Sequence, residues 1–245
     1  MYLIPVIDLL DGQIVHAIAG QREHYAPFEK SRFEFESASD LGQQWIDEFS
    51  PRCLYVADLN AIQGNGNNLD QLAELLKLRI HLLIDVGISN TTDLIEWTSL
   101  LDHCRESQPG SPRRWSPVIG TESIQTLCEF DQLLLAVDDQ AFVSIDIQNR
   151  KILGSAFEKE TLDSLLDQIS NQGINNVILL DLDAVGTGKS SARQLSSALT
   201  NKALNMNIFL GGGIRDQLDL ESCLSMGYSG ALVSTAIHSG QIRVN

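Results

Sequence analysis

The sequence predicts an α/β fold, a (β/α)8 barrel in which eight parallel strands form one closed sheet. Two observations predict it. Eight short apolar segments alternate with helix-like segments along the 245 residues. Parts of the first half also recur in the second half in the same order. A doubly wound open sheet is the alternative that the same alternation allows.

The eight apolar segments have the composition of strands that are covered on both faces. They are nearly continuously apolar rather than alternating, as parallel strands require. In chain order they span residues 2–8, 52–58, 80–85, 116–120, 141–146, 175–181, 207–212 and 229–234. Helix-like segments lie between most of them, at about 36–49, 68–78, 91–103, 121–137, 158–172, 190–203 and 216–226.

Two connections are unusually long. Residues 11–35 follow the first strand, where loops of such barrels carry the chemistry, so this segment is a candidate lid. Residues 103–117 precede a strand, at the opposite face of a barrel, and we interpret them as a surface excursion without a catalytic role.

Internal similarity divides the chain into two (β/α)4 halves, about 1–120 and 121–245. Residues 82–94 align with 208–220, which matches Gly87 to Gly213 and Ile88 to Ile214. Three shorter matches keep the same order: 55–62 with 178–185, 119–121 with 233–235, and 6–15 with 144–153. Because half a barrel would leave sheet edges open, we expect the halves to form a single domain, residues 1–245.

Composition and charge exclude several functional classes. The net charge of −15 argues against a surface for nucleic acid or for an anionic membrane. The four cysteines lie far apart without a C-x-x-C pair, so neither a zinc site nor a disulfide framework is expected. The first residues lack a signal-peptide pattern and no segment has 18 consecutive apolar residues, so we expect an unprocessed cytoplasmic protein.

Three consecutive glycines, Gly211 to Gly213, indicate an anion site. They follow a strand and precede a helix, so a ligand can approach bare main chain and the free N–H groups of the helix N-terminus. Ser234 and Thr235 end the last strand next to them, and small residues after strands 7 and 8 commonly hold phosphate. Arg215 and Lys189 are candidate cations for the same group. The alternative is a tight turn that merely tolerates glycine.

Carboxylates end five of the predicted strands: Asp8, Asp58, Asp85, Asp146 and Asp181, with Asp183 two residues further on. A single aspartate at such a position is commonly a turn or helix cap. Five equivalent positions favour a shared site, where like charges raise one another's pKa and allow one acid and one base. The internal repeat matches Asp8 to Asp146, on strands 1 and 5, across the barrel.

Five motifs together resemble the histidine-biosynthesis barrel family that includes ProFAR isomerase (HisA) and HisF: "IPVIDLLDGQIVHAIAG", "VSIDIQNRKI", "DLDAVGTG", "FLGGGIRD" and "LVSTAI". The resemblance implies acid–base catalysis of an Amadori rearrangement without cofactor or metal. By position it implies Asp8 as general base and Asp146 as general acid. Asp181, which replaces a threonine of the isomerase, is a further catalytic candidate, and Gly186 and Thr187 join the predicted phosphate site.

The sequence also departs from the family pattern. Members that bind two phosphates have a second glycine-rich loop after strand 3, where this chain has Asp85 and Val86. A carboxylate there would repel a phosphate and a valine would crowd it, so we infer a substrate with one phosphate. The remaining candidate contacts to substrate are Asp58, Asp85 and the lid residues His16, Arg22, His24 and Tyr25; the lid residues are alternatively solvent-facing, or core in the case of His16.

The resemblance, together with this departure, therefore implies a HisA-like isomerase that opens the ring of a monophosphorylated ribose conjugate, a small phosphorylated sugar. The lid resembles that of relatives in methanogens, methylotrophs and planctomycetes, which suggests a step of tetrahydromethanopterin-linked C1 metabolism. ProFAR isomerase itself and a non-catalytic barrel that binds a phosphorylated ligand are the alternatives. A divalent metal held by the ring of acids is a further possibility. The oligomeric state stays open.

Overall fold

The computed structural model describes residues 2–28, 31–105, 113–188 and 206–243. Its centre is a barrel of eight parallel strands. They are β1 (Tyr2–Leu10), β2 (Cys53–Asp58), β3 (His81–Asp85), β4 (Trp115–Gly120), β5 (Phe142–Gln148), β6 (Asn176–Asp181), β7 (Asn207–Gly211) and β8 (Gly230–Val233). Each strand pairs with the next, and β8 pairs in parallel with β1, which closes the sheet. The predicted (β/α)8 barrel is confirmed and the open sheet is excluded.

Helices follow the strands. They are α1 (Ala38–Phe49), α2 (Leu59–Gln63), α3 (Leu69–Leu75), α4 (Thr91–Arg105), α5 (Leu127–Ala136), α6 (Leu162–Asn171), α7 (Gln217–Ser225) and α8 (Thr235–His238). The helix predicted at 190–203 lies outside the described residues. None of the helices in the described ranges has both the length and the apolar character that crossing a membrane requires.

The predicted helix 121–137 begins later than expected. Residues Thr121–Ser123 form a 3-10 turn, and α5 starts at Leu127 because the Thr126 side chain accepts a hydrogen bond from Glu129 N. Helices α2 and α8 were not predicted, since five and four residues are too short to show a helical period. In the region 103–117, α4 continues to Arg105, β4 begins at Trp115, and residues 106–112 are outside the description.

Side chains of the strands alternate between two separate cores. Those facing outward pack against the helices, and those facing inward fill the lower barrel. The inward set comprises Ile4, Tyr55, Leu83, Val118, Ile178, Phe209 and Leu232. The outward set includes Ile7, Val56, Ile84, Ile119, Ile145, Leu179 and Leu210. Each side chain of a strand therefore points either into the barrel or toward the helices. This direction decides whether a residue at the strand end can contact the inside of the barrel.

The segment after β1, expected to be a loop, is a β-ribbon. Gln13–His16 turns back antiparallel to the end of β1, and Ala26–Pro27 pairs with it in turn. Asp11 and Gly12 make the connecting turn with φ of 49° and 77°. Of the predicted lid, residues 11–35, the structure describes 11–28 and 31–35, and from here on the name lid is kept for residues 11–28. A similar hairpin follows β5, where Lys151–Ile152 pairs back onto the strand across a turn at residues 149–150.

Candidate active site

A cavity of about 410 Å³ opens at the carboxyl-terminal ends of the barrel strands. Its wall combines strand-end residues with the lid and with the loops that follow β4, β6, β7 and β8. This end of a parallel barrel collects loops from every strand, and for that reason it carries the active site in enzymes of this architecture. The inward-facing strand residues form its floor.

Three aspartates at the ends of strands face this cavity: Asp8, Asp85 and Asp146. Each of these side chains points into the barrel, because it lies an even number of residues from another inward side chain of the same strand. The strand register places Asp8 beside Ala57 and Ala57 beside Asp85, so these two acids belong to one layer. The three groups therefore share a small volume across β1, β3 and β5.

Two other predicted acids, Asp58 and Asp181, do not line the cavity. Asp58 has the outward facing and is fully buried. It accepts hydrogen bonds from Ala61 N at 3.1 Å and from Asn68 N at 2.6 Å, so it starts helix α2. The Asp181 carboxylate accepts from Asp183 N at 3.1 Å. The expectation that all strand-end acids meet at one site is wrong for these two, because their positions are shifted by one residue from the inward set.

Burial raises the pKa of all three inward carboxyl groups above the ordinary value of 3.8. The pKa of Asp8 is about 7, through desolvation and the charge of Asp85. The pKa of Asp146 is also about 7, through desolvation and the charges of Asp85 and Glu122. Desolvation raises the pKa of Asp85 to about 6, although hydrogen bonds from Gly87 and Tyr55 lower it. Near neutral pH the cavity therefore holds both protonated and ionised carboxyl groups.

The three carboxylates differ in their hydrogen bonds. Asp85 accepts from the Tyr55 hydroxyl at 2.8 Å. Asp146 accepts from Ser144 Oγ at 2.7 Å and from Glu122 N at 3.3 Å. The Asp8 carboxylate accepts no hydrogen bond from the part of the chain that the structure describes. Its oxygens are therefore available to a ligand in the cavity.

Gly120, at the end of β4, leaves open space between two of the acids. A Cβ atom at this position would lie 3.4 Å from Asp146 Oδ2 and 3.8 Å from Asp85 Oδ2. Any longer side chain would occupy the space between these oxygens. The absence of a side chain at Gly120 thus keeps both carboxylates accessible from the cavity.

The predicted phosphate site belongs to the part of the wall that follows β6, β7 and β8. Gly186, Gly212, Gly213, Ser234 and Thr235 line the cavity, whereas Gly211 and Thr187 do not. Gly211 packs against Leu180, and the Thr187 hydroxyl donates to the Ala184 carbonyl at 3.1 Å.

The backbone of this wall presents hydrogen-bond donors. Among the described residues, none accepts a hydrogen bond from the N–H groups of Gly213 and Thr235. Gly212 has a φ of 89°, and a Cβ atom there would lie 2.5 Å from the Asp181 carbonyl oxygen. Packing alone therefore requires glycine at 212, while the free donors suit an anion. Arg215 also lines the cavity, but its guanidinium binds the Asp219 carboxylate at 2.6 and 2.9 Å. Lys189 lies outside the described residues.

The lid covers the cavity with three of the predicted residues. His16 Nε2 lies 2.9 Å from Thr235 Oγ1, and the ring stacks on Phe28. Arg22 and Tyr25 also line the cavity. His24 does not line it: the side chain is exposed and its Nδ1 lies 3.0 Å from Gln21 Oε1.

Val86 does not occupy the place expected for it. It is buried in the outward core, so it cannot crowd a phosphate in the cavity. Of the two residues, only the Asp85 carboxylate is therefore placed to repel a second phosphate at this position. The described residues contain no group of three or more His, Cys, Asp or Glu side chains arranged to hold a metal ion.

Sequence reasoning did not identify the residues that contact or adjoin the carboxylates of Asp85 and Asp146, which are Tyr55, Gly120, Glu122 and Ser144. Tyr55 and Ser144 lie two residues before the ends of the inward rows on their strands. Alternate residues of a strand point to the same face. Ser144, two residues before Asp146, and Tyr55, two residues before Ala57, could therefore have been assigned to the site. No comparable signal marks Glu122, because it belongs to a turn rather than to a strand.

Comparisons with known proteins agree with this architecture. The model of the family described as "Histidine biosynthesis protein" matches residues 2–243. An uncharacterized protein of Methanocaldococcus jannaschii is 30% identical over 240 residues, covering 98% of this chain and 94% of the relative.

More distant relatives carry a named activity. A 1-(5-phosphoribosyl)-5-((5-phosphoribosylamino)methylideneamino)imidazole-4-carboxamide isomerase of Clostridium botulinum is 24% identical, covering 100% of this chain and 95% of the relative. A protein of the same name from Clostridium novyi is 26% identical, with coverage of 99% and 95%. The expected link to tetrahydromethanopterin has no support in these matches.

Proposed function

Because the chain belongs to the histidine biosynthesis protein family, we propose that it is an isomerase that opens the ring of a phosphorylated ribose conjugate by acid–base catalysis. The observation that supports this most directly is the pair Asp8 and Asp146. Both face one cavity, both have a pKa near 7, and the N–H groups of Gly213 and Thr235 line the same cavity without an acceptor among the described residues. A pKa near the working pH suits a group that gives or takes a proton.

The proposed reaction starts with the phosphate of the substrate on the N–H groups of Gly213 and Thr235. Asp146, in its protonated form, gives a proton to the ring oxygen. The C1–O bond breaks, and the lone pair of the glycosidic nitrogen forms a C1=N bond. The open chain is then an iminium ion, and Asp146 is ionised.

The second half of the reaction uses Asp8. Its carboxylate removes the proton from C2, and the electrons of the C–H bond form C1=C2 while the C1=N electrons return to nitrogen. Loss of the 2-hydroxyl proton and protonation at C1 then give the aminoketose. Asp8 suits the role of base because no hydrogen bond from the described residues occupies its oxygens.

The experiment follows the reaction with N-substituted ribosylamine 5-phosphates in D2O. Turnover introduces one deuterium at C1 of the product, which proton NMR detects. We expect Asp8→Asn and Asp146→Asn each to lower kcat by about 10²- to 10⁴-fold. Asp181→Asn is the matched control, since Asp181 also ends a strand but lies outside the cavity, and it should retain most of the activity.

Two results would contradict the proposal. Equal turnover by the wild type and both variants would show that Asp8 and Asp146 are not the catalytic acid and base. Binding of ribose 5-phosphate without turnover of any conjugate, in a panel that varies the nitrogen substituent, would favour the non-catalytic barrel.

ProFAR isomerase is the second candidate, supported by the names of the more distant relatives. The Asp85 carboxylate at the end of β3 argues against it, because a buried carboxylate repels a second phosphate. Complementation of a histidine auxotroph separates the two. We expect no growth from the wild-type gene, and growth would establish the histidine-pathway activity instead.

A further inference from the structure

One ion pair joins the lid to the far side of the cavity mouth. Arg22 Nη2 lies 2.5 Å from Glu122 Oε2, although the two residues are 100 positions apart. Both line the cavity, and their side chains are only 28% and 33% exposed. Since the partners come from the β1 and β4 connections, the pair forms only when the lid lies over the cavity.

Glu122 also contacts one of the proposed catalytic groups through its main chain. Its N–H donates to Asp146 Oδ2 at 3.3 Å. The preceding residue strengthens this connection, because the Asp146 N–H donates to Thr121 Oγ1 at 3.0 Å. The turn after β4 is therefore held to Asp146 at two points, and it carries the Glu122 charge close to that carboxyl group.

Several ionisable groups surround Asp146. Asp85 faces it from β3, Tyr55 from β2 and Asp8 from β1, and Glu122 with Arg22 closes the open side. The charges of Asp85 and Glu122 both raise the pKa of Asp146. Arg22 acts in the opposite sense on the cluster, since its charge lowers the pKa of Asp85. Removing Arg22 from Glu122 would leave the Glu122 charge uncompensated beside these acids.

We propose that Glu122 is a positioning residue for Asp146 and that its ion pair with Arg22 makes the charge around Asp146 depend on closure of the lid. The inference rests on the proposed function, in which Asp146 is the general acid. With the lid open, Glu122 holds the proton on Asp146. With the lid closed, Arg22 neutralises Glu122, and Asp146 releases its proton more readily to a substrate that the lid has just enclosed.

The test titrates the carboxyl groups by carbon NMR of protein with 13C-labelled aspartate, and Asp146→Asn identifies the Asp146 signal. In Glu122→Gln the like charge is lost but the N–H donor stays, so the pKa of Asp146 should fall by about half a pH unit or more. In Arg22→Gln the positive charge is lost, so the pKa should rise by a similar amount. Arg22→Lys should restore most of the wild-type value.

Opposite shifts from the two ends of one ion pair distinguish this role from a structural one. A mere loosening of the lid would admit water in both variants and move the pKa in the same direction. Glu74→Gln and Lys77→Gln are the matched controls, because they break a similar ion pair of 2.5 Å on the surface of the barrel, and neither should move the Asp146 signal.

Shifts in the same direction, or no shift in either variant, would overturn the inference. This titration uses no substrate, so its failure leaves the proposed isomerase activity standing. Conversely, absence of turnover together with opposite pKa shifts would disprove the isomerase activity but support the effect of the Arg22–Glu122 pair on Asp146. Where turnover is found, the alkaline limb of the pH profile of kcat should move in the direction of the measured pKa.

Discussion

Asp8 carries a free-energy cost for the folded protein at neutral pH. Its pKa is about 7 in the folded state because of burial, against an ordinary value of 3.8. Between these two pH values the folded protein binds more protons than the unfolded chain. The free energy of unfolding therefore falls as the pH rises from about 4 to about 7 and is constant, as far as this group is concerned, above that.

Asp8→Asn should remove that cost. We expect the variant to gain stability over the wild type as the pH rises, by about 3 kcal/mol between pH 4.5 and 7.5, with little further gain at higher pH. Urea unfolding at a series of pH values measures the difference. A gain that is independent of pH would show that Asp8 is not protonated in the folded protein.

The substitution Gly212→Ala measures how strongly packing alone requires a glycine at this position of the predicted phosphate site. Gly212→Ala places a Cβ atom 2.5 Å from the Asp181 carbonyl oxygen at a φ of 89°. We expect a loss of about 3 kcal/mol, because strain from the positive φ and a backbone clash add.

Gly173→Ala is the matched control for that loss. Gly173 has a φ of 82° but no atom within 4 Å of the added Cβ. It should lose only about 1 kcal/mol in thermal or urea unfolding. Equal losses at the two positions would mean that the loop after β7 moves aside.

At the level of single residues, the sequence identifies the acids at the strand ends but not whether their side chains point into the barrel or toward the helices. Asp8, Asp85 and Asp146 differ from Asp58 and Asp181 by one position relative to the inward row of their strands. Apolar strands that are buried on both faces give no alternation from which to read that row. The site therefore depends on the register between strands, and only the structure supplies it.

At the level of elements, a stack of three rings holds the lid to the barrel. Phe28 lies between His16, at 4.8 Å between ring centroids, and His238, at 3.7 Å. His238 belongs to helix α8 and is buried, which lowers its pKa to about 4, so it is neutral at physiological pH. The lid is thus fixed to the β8 end of the cavity by ring stacking together with the His16–Thr235 hydrogen bond, rather than by an ion pair.

Phe28→Ala should release the lid without unfolding the barrel. We expect faster hydrogen exchange across residues 13–28, and a loss of global stability of only about 1 kcal/mol because Phe28 packs at the edge of the core. Mass spectrometry of exchanged peptides measures the first quantity. Leu135→Ala on α5, with 71% of the side chain exposed, should change neither, and unchanged lid exchange in Phe28→Ala would contradict this role.

The eight barrel strands could be predicted because each is a continuous apolar segment between polar connections. The lid ribbon could not, because Gln13–His16 and Ala26–Pro27 are short and gain their hydrogen bonds from β1 and from each other. One signal was nevertheless present. The match of residues 6–15 with 144–153 aligns the β1 hairpin with the β5 hairpin, in which Leu9 opposite Ile14 corresponds to Ile147 opposite Ile152. The half-barrel repeat as a whole stays a prediction.

For the whole molecule, the number of anion sites separates the proposed substrate from one with two phosphates. Inorganic phosphate binding at one site stabilises the folded protein by about 2.7 kcal/mol at a concentration of 100 times Kd. We expect calorimetry to give one site per chain, and ribose 5-phosphate to bind at the same site. Chloride at equal ionic strength is the control, because a net charge of −15 makes any salt stabilising through screening. A second site lost on Asp85→Leu would contradict the monophosphate inference.

Strand β1 divides its pairing between two neighbours. Residues 2–5 bond to β8, and residues 6–9 bond to β2. A slip of one residue in β1 would turn Asp8 toward the helices and at the same time misalign the seam that joins the two ends of the sheet. We therefore do not expect misfolded chains in which the barrel closes correctly but the Asp8 carboxylate lies outside the cavity. Correct closure of the barrel thus also fixes the Asp8 carboxylate on the inside.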